Sequence, residues 1–108
     1  MAAPFRSPSP PLEGYPRELL TILVEECAEV QQRATKAMRF GIDERQPGQD
    51  LTNSERLAAE IGDLLEMIDR ALDAGLINQI WIDYGRRHKQ DQLAVYMQTQ
   101  PPAEGEGR

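Results

Sequence analysis

Five carboxylates of this chain fall in two short clusters: Glu25, Glu26 and Glu29 in "EECAE", and Glu60 and Asp63 in "EIGD". Each cluster contains acid-x-x-acid, which on a helix sets two carboxylates on neighbouring turns of one face. Like charges so placed cost a helix about a few tenths of a kcal/mol, so the crowding calls for a reason. One reason is a solvated acidic flank, since Glu is a good helix former. The other is a hard divalent cation. Mg²⁺ or Mn²⁺ prefers oxygen ligands, keeps several waters and bridges protein carboxylates to phosphates.

Helices must position these acids. The first is expected from about Pro16 to Phe40, with Pro16 suited to the first helical position and Gly41 to the left-handed position past the end. Its apolar stripe is Leu19, Leu23, Cys27, Val30, Ala34 and Ala37, widened by Leu20 and Val24. "GIDERQPGQDL" reads as a loop, and "TNSE" after it as a capping box in which Thr52 caps and Glu55 reaches back. The second helix runs to about Ala74 and stops at Gly75, with the stripe Leu57, Ile61, Leu64, Leu65, Ile68 and Leu72. On helical wheels Glu26 and Glu29 lie roughly 70° and 130° from the first stripe's centre, and Glu60 and Asp63 roughly 85° and 145° from the second's, on the same rotational side. Glu25 is turned further away than Glu26. Two helices packed through their stripes would bring four carboxylates to one border of the core, where a divalent cation offsets their repulsion and desolvation. Cys27, within the stripe, reads as buried and inert.

A third helical segment, about Leu76 to Met97, carries Ile77, Trp81, Tyr84, His88 and Val95 at helical spacing, with a break expected near Gly85 and "GRRHKQDQ". No strand pattern or internal repeat is visible. The proline-rich residues 1–14 and the tail 101–108 lack core-forming side chains and are expected to be disordered, leaving one domain over 15–100. So short a chain is marginal for a self-sufficient core, and oligomerisation is the natural remedy.

The net charge is −6, from eighteen acids against twelve Lys and Arg, which argues against a nucleic-acid partner. The single cysteine allows no intrachain disulfide. No apolar run is long enough for a membrane span, and the N-terminus lacks a secretory h-region. A cytoplasmic setting is expected.

Taken together, "EECAE" and "EIGD" resemble the E-E-x-x-E and E-x-x-D signature of the all-α nucleoside triphosphate pyrophosphatases of the MazG-like kind. The surroundings "ILVEECAEV", "ATKAMRFG" and "LAAEIGDLLEMID" are similar to small single-domain members, particularly those from phages. The resemblance covers about residues 16–98. It departs in the thirty residues between Glu29 and Glu60, a long separation, and in the basic residues after the second helix, which fit no family spacing.

The resemblance implies an all-α fold of antiparallel helices forming a four-helix-type bundle completed by oligomerisation, as a dimer or a dimer of dimers. It implies Mg²⁺, with Mn²⁺ as a substitute, on Glu26, Glu29, Glu60 and Asp63, with Glu25 as an additional acid that either orients or deprotonates the catalytic water or simply supports the metal ligands from behind. The implied reaction is (d)NTP and water to (d)NMP and pyrophosphate, in nucleotide-pool control, in the host cytoplasm if the chain is phage-encoded. A first guess at substrate is (d)GTP. Lys36 and Arg39 read either as phosphate contacts or as cations matched to the helix C-terminus. Arg86 and Lys89, beside Arg87 and His88, read either as phosphate contacts from a neighbouring subunit or as a solvated turn. His88 falls on the third stripe, as a core or interface histidine. Trp81 and Tyr84 read as packing residues or as the lining of a base pocket. The rivals are a dUTP- or dCTP-directed pyrophosphatase of the same all-α group and a non-catalytic helical interaction or regulatory module.

Overall fold

The computed structural model describes residues 9–103, and these are all-helical, with no strand among them. Three helices follow in order, α1 (Gly14–Phe40), α2 (Asn53–Asp73) and α3 (Gln79–Tyr96). Of the ends expected to be disordered, residues 1–8 and 104–108 lie outside the described ones, while 9–13 and 101–103 have no regular structure. The first helix takes in Gly14, two residues before the expected Pro16.

Local chemistry sets the ends of α1 and α2. Gly41 has φ 90°, and its N–H donates to the Ala37 carbonyl at 2.9 Å. At the start of α2 the Thr52 hydroxyl accepts from the Glu55 N–H at 3.1 Å, and the Glu55 carboxylate accepts from the Thr52 N–H at 2.9 Å. That reciprocal pair satisfies two otherwise orphaned donors. Its charge-assisted hydrogen bond to the Thr52 N–H holds the Glu55 carboxyl below its ordinary value. Gly75, with φ 73°, follows the end of α2, and the Leu76 N–H returns to the Ala71 carbonyl at 2.9 Å.

Contrary to the sequence reading, the third helix is continuous across Gly85. It begins at Gln79 because the Asn78 side chain accepts from the Trp81 N–H at 3.0 Å. A mid-helix glycine costs about 1 kcal/mol in propensity, which weakens a helix without breaking it. A Cβ at Gly85 would meet nothing within 4 Å. Gly85→Ala is therefore expected to raise stability by roughly 0.5–1 kcal/mol in thermal unfolding, and a lowered melting temperature would contradict that open space.

α1 packs on α2 as an antiparallel pair. Asn53, 1% exposed, donates through Nδ2 to the Gly41 carbonyl at 2.8 Å and to Glu44 Oε1 at 3.1 Å. The Asn53 and Ser54 N–H groups donate to the Glu44 and Ile42 carbonyls, each at 2.9 Å. These bonds fold the 41–52 loop back over the start of α2. Further along, Glu26 meets Glu60 and Asp63, so contacts advance along α2 as they retreat along α1.

The seam between the helices is not centred on their apolar stripes. Its buried apolar residues are Leu19, Ala37, Met67 and Ala71, accompanied by buried Arg33 and half-buried Ile22, Leu23, Glu26, Val30, Leu57, Glu60 and Leu64. Three apolar residues of the expected stripes, Val24, Ile61 and Leu65, remain 65%, 40% and 56% exposed. Cys27, expected to be buried, is exposed. One partner helix covers one flank of a stripe this broad, and the rest faces away.

The chain divides into two units, one ending at Leu76 and the other beginning at Ile77. In the second, α3 buries no residue. Trp81 and Tyr84 pack edge to face with ring centroids 5.2 Å apart, and Tyr84 stacks on His88 at 6.2 Å. His88 is exposed, so the core role read from its position on the stripe is not met within this chain. Among the described residues, no helix is long and apolar enough to cross a membrane.

Candidate metal centre

The off-centre packing decides what the acids do. Counting about 100° per residue, Glu26 and Glu60 each lie within roughly 20° of the middle of the buried face of their own helix. Measured from the apolar stripes alone, both fall on its border. The two carboxylates consequently face each other across the α1–α2 seam, each half-buried, with exposed Asp63 beside them. One carboxylate oxygen from each of Glu26, Glu60 and Asp63 lies within 4.8 Å of the others.

Three observations show how unfavourable this is for the protein alone. Oε2 of Glu26 is enclosed and has no hydrogen-bond partner. The Glu60 carboxyl is pushed above its ordinary value, first by burial and then by the charges of Asp63, Glu29 and Glu26. No basic side chain relieves the group, because the one ion pair among the described residues is Arg70 Nε–Glu66 Oε2, at 2.9 Å.

Of the five acids singled out in the sequence, the structure brings together Glu26, Glu60 and Asp63. Glu29 is exposed and outside that group, yet near enough for its charge to act on Glu60. Glu25 is exposed and turned away from the seam, as its wheel position requires. Lys36 Nζ lies 5.8 Å and Arg39 Cζ 5.1 Å from the centroid of the Phe40 ring, so both cations attend the last residue of α1. Arg86 and Lys89 are exposed on α3, in the other unit.

Two buried polar residues escaped the sequence reading, Arg33 and Asn53. Arg33 carried a signal, since seven residues, two helical turns, separate it from Glu26 on the same face. Asn53 carried none beyond its place in the capping sequence.

The donor set fits a hard divalent cation. It consists of carboxylate oxygens alone, and ligands held at about 2.0–2.1 Å from Mg²⁺ sit about 3–4 Å from one another. Small side-chain rotations would close a group already within 4.8 Å. An ion would also give Glu26 Oε2 the partner it lacks.

A pH dependence follows. A carboxyl raised in the fold stabilises the protein below the ordinary value of 4.5, and that contribution is lost as pH rises through the raised value. The lowered Glu55 acts oppositely, its contribution being lost as pH falls through its own value. Without divalent metal, the stability difference between the wild type and Glu60→Gln is therefore expected to widen, in favour of the variant, from about pH 4.5 upward. Thermal melts in chelator across that range check this, and a difference independent of pH would contradict it.

No family model, curated protein or solved structure matches this chain.

Proposed function

We propose that this chain is a divalent-metal-dependent nucleoside triphosphate pyrophosphohydrolase of the MazG-like kind, yielding a nucleoside monophosphate and pyrophosphate. The observation that carries the reading is the group formed by Glu26, Glu60 and Asp63, with its partnerless Glu26 oxygen. A solvated acidic flank would place its carboxylates apart and in water. Two of these are half-buried and face each other, an arrangement that costs stability unless a cation joins it.

In this reading Glu26, Glu60 and Asp63 would hold Mg²⁺ or Mn²⁺, and Glu29, at the rim, would be available to a second ion or to ordered water. When bound, the metal supplies charge neutralisation for the polyphosphate and lowers the pKa of water. Glu25, free of the group, accepts a proton from the attacking water or orients it. The water oxygen bonds to the α-phosphorus as the bond from that phosphorus to the bridging oxygen breaks, and pyrophosphate leaves with that oxygen. Such chemistry needs positioning and charge more than a protein nucleophile. Lys36 and Arg39 are basic residues of α1 available to the phosphates, Arg86 and Lys89 would reach them from a neighbouring subunit, and (d)GTP remains the first substrate to try. The setting would be nucleotide-pool control in the cytoplasm.

The exposed Val24, Ile61 and Leu65 support completion of the helix pair by further copies, as a four-helix-type bundle. The unburied α3, with Ile80, Trp81 and Tyr84 at 77%, 66% and 60% exposure, also favours a second reading, a helical interaction module. Incubation with eight (d)NTPs and Mg²⁺, followed by chromatography, separates the readings. Monophosphate plus pyrophosphate supports the proposal and ranks the bases, and the product of a dUTP or dCTP preference would be visible in the same panel. Diphosphate plus phosphate would overturn the cleavage site, and no turnover of any nucleotide would favour the interaction module.

A further inference from the structure

Arg33 is the most deeply buried charged side chain among the described residues, 8% exposed, on the face of α1 that packs on α2. Its Nη1 is enclosed and has no hydrogen-bond partner. A buried guanidinium is normally joined to a carboxylate, and one left alone is costly. Candidates are close in sequence. Glu29 precedes Arg33 by four residues, the favourable order for a helical ion pair, and Glu26 precedes it by seven. Neither forms an ion pair with it, since the pair among the described residues is Arg70–Glu66.

The acids are equally unrelieved. Oε2 of Glu26 is enclosed without a partner, and among the described residues no ion pair reaches Glu26, Glu60 or Asp63. One seam thus holds an anionic group and a buried cation and joins them to nothing. A structural ion pair would have neutralised both. Along α1, Glu29 and Glu26 lie about 6 Å and 10.5 Å from Arg33 at 1.5 Å per residue. A ligand that satisfies both ends must be an oxyanion that brings its own divalent cation.

We propose that Arg33 is an anion-binding residue of this seam, taking a phosphate of a metal-bound di- or triphosphate whose cation rests on Glu26, Glu60 and Asp63. The inference deepens the pyrophosphohydrolase reading and rests on it for the cation. The guanidinium suits the role because its planar fork matches phosphate oxygens with two parallel bonds, which an ammonium does not. It differs from Lys36 and Arg39, whose charges attend Phe40.

The test is calorimetry on the full chain with two probes, Mg²⁺ alone and inorganic pyrophosphate in the presence of Mg²⁺. Circular dichroism establishes that each variant is folded. The wild type is expected to bind both probes. Arg33→Met is expected to bind Mg²⁺ as the wild type does and to lose about tenfold to a hundredfold in pyrophosphate affinity, the range for a charged hydrogen bond. Arg33→Lys is expected to fall between them, and it decides the matter if the Met variant does not fold. Wild-type pyrophosphate affinity in the folded variants overturns the role of Arg33 and leaves the metal reading standing. Arg33-dependent pyrophosphate binding by a protein that does not bind Mg²⁺ alone supports Arg33 and overturns the metal reading. Failure of the wild type to bind pyrophosphate at all overturns the anion site.

Discussion

Glu60→Gln is expected to abolish metal-dependent turnover while raising the melting temperature of the metal-free protein. The two effects have one cause. Glu60 is half-buried at the middle of the α1–α2 seam, and its carboxyl is raised by burial and by Asp63, Glu29 and Glu26. A neutral amide of the same shape removes that repulsion, so the fold without metal gains. The same change removes a ligand, and even residues that only support ligands cost 10–100-fold when replaced, so the loss of activity should be about a hundredfold or more. Enzyme assays and melts in chelator provide the two readings. A Gln variant less stable than wild type, or one that turns over normally, would contradict the account.

The second large effect is structural. Leu19→Ala is expected to cost about 2–5 kcal/mol, the usual range for a buried leucine. Leu19 is 4% exposed, and Met67 is the other large apolar side chain buried in the seam. Ala37 and Ala71 contribute little volume, so neighbours have little with which to fill the cavity. For a domain of this size each kcal/mol lowers the melting temperature by about 4–8 °C, so a fall on the order of 10 °C or more is expected. Loss of only a degree or two would mean that the α1–α2 seam is not where the stability lies.

What the sequence made legible was local. The Thr52–Glu55 capping box, Gly41 and Gly75 act where their chemistry predicted, because such ends depend on neighbours within one or two turns. The choice of flank was not legible. Both stripes are broader than one helix can cover, and which part is buried depends on the partner's surface and on the loop. That loop is set by Asn53, whose side chain bonds residues nine and twelve positions away. Rotation of the seam by less than a quarter turn exposed Cys27 and moved Glu26 and Glu60 from the border to the middle. The same rotation buried Arg33. In α3, the asparagine cap and the modest cost of a mid-helix glycine outweighed the expected break at Gly85.

The acid group is thus readable as a pattern from sequence, while its unfavourable burial is readable from the fold. Together they make the metal the central claim. Mn²⁺, which uses the same oxygen ligands and is paramagnetic, tests it without any assumption about substrate. Titration of the metal-free full chain with Mn²⁺, followed by the electron paramagnetic resonance of the free ion, should show saturable binding. The account predicts that Glu26→Gln, Glu60→Gln and Asp63→Asn each weaken that binding by about tenfold or more, and that Glu25→Gln leaves it unchanged. The absence of saturable binding, or undiminished binding by Glu60→Gln, would contradict it.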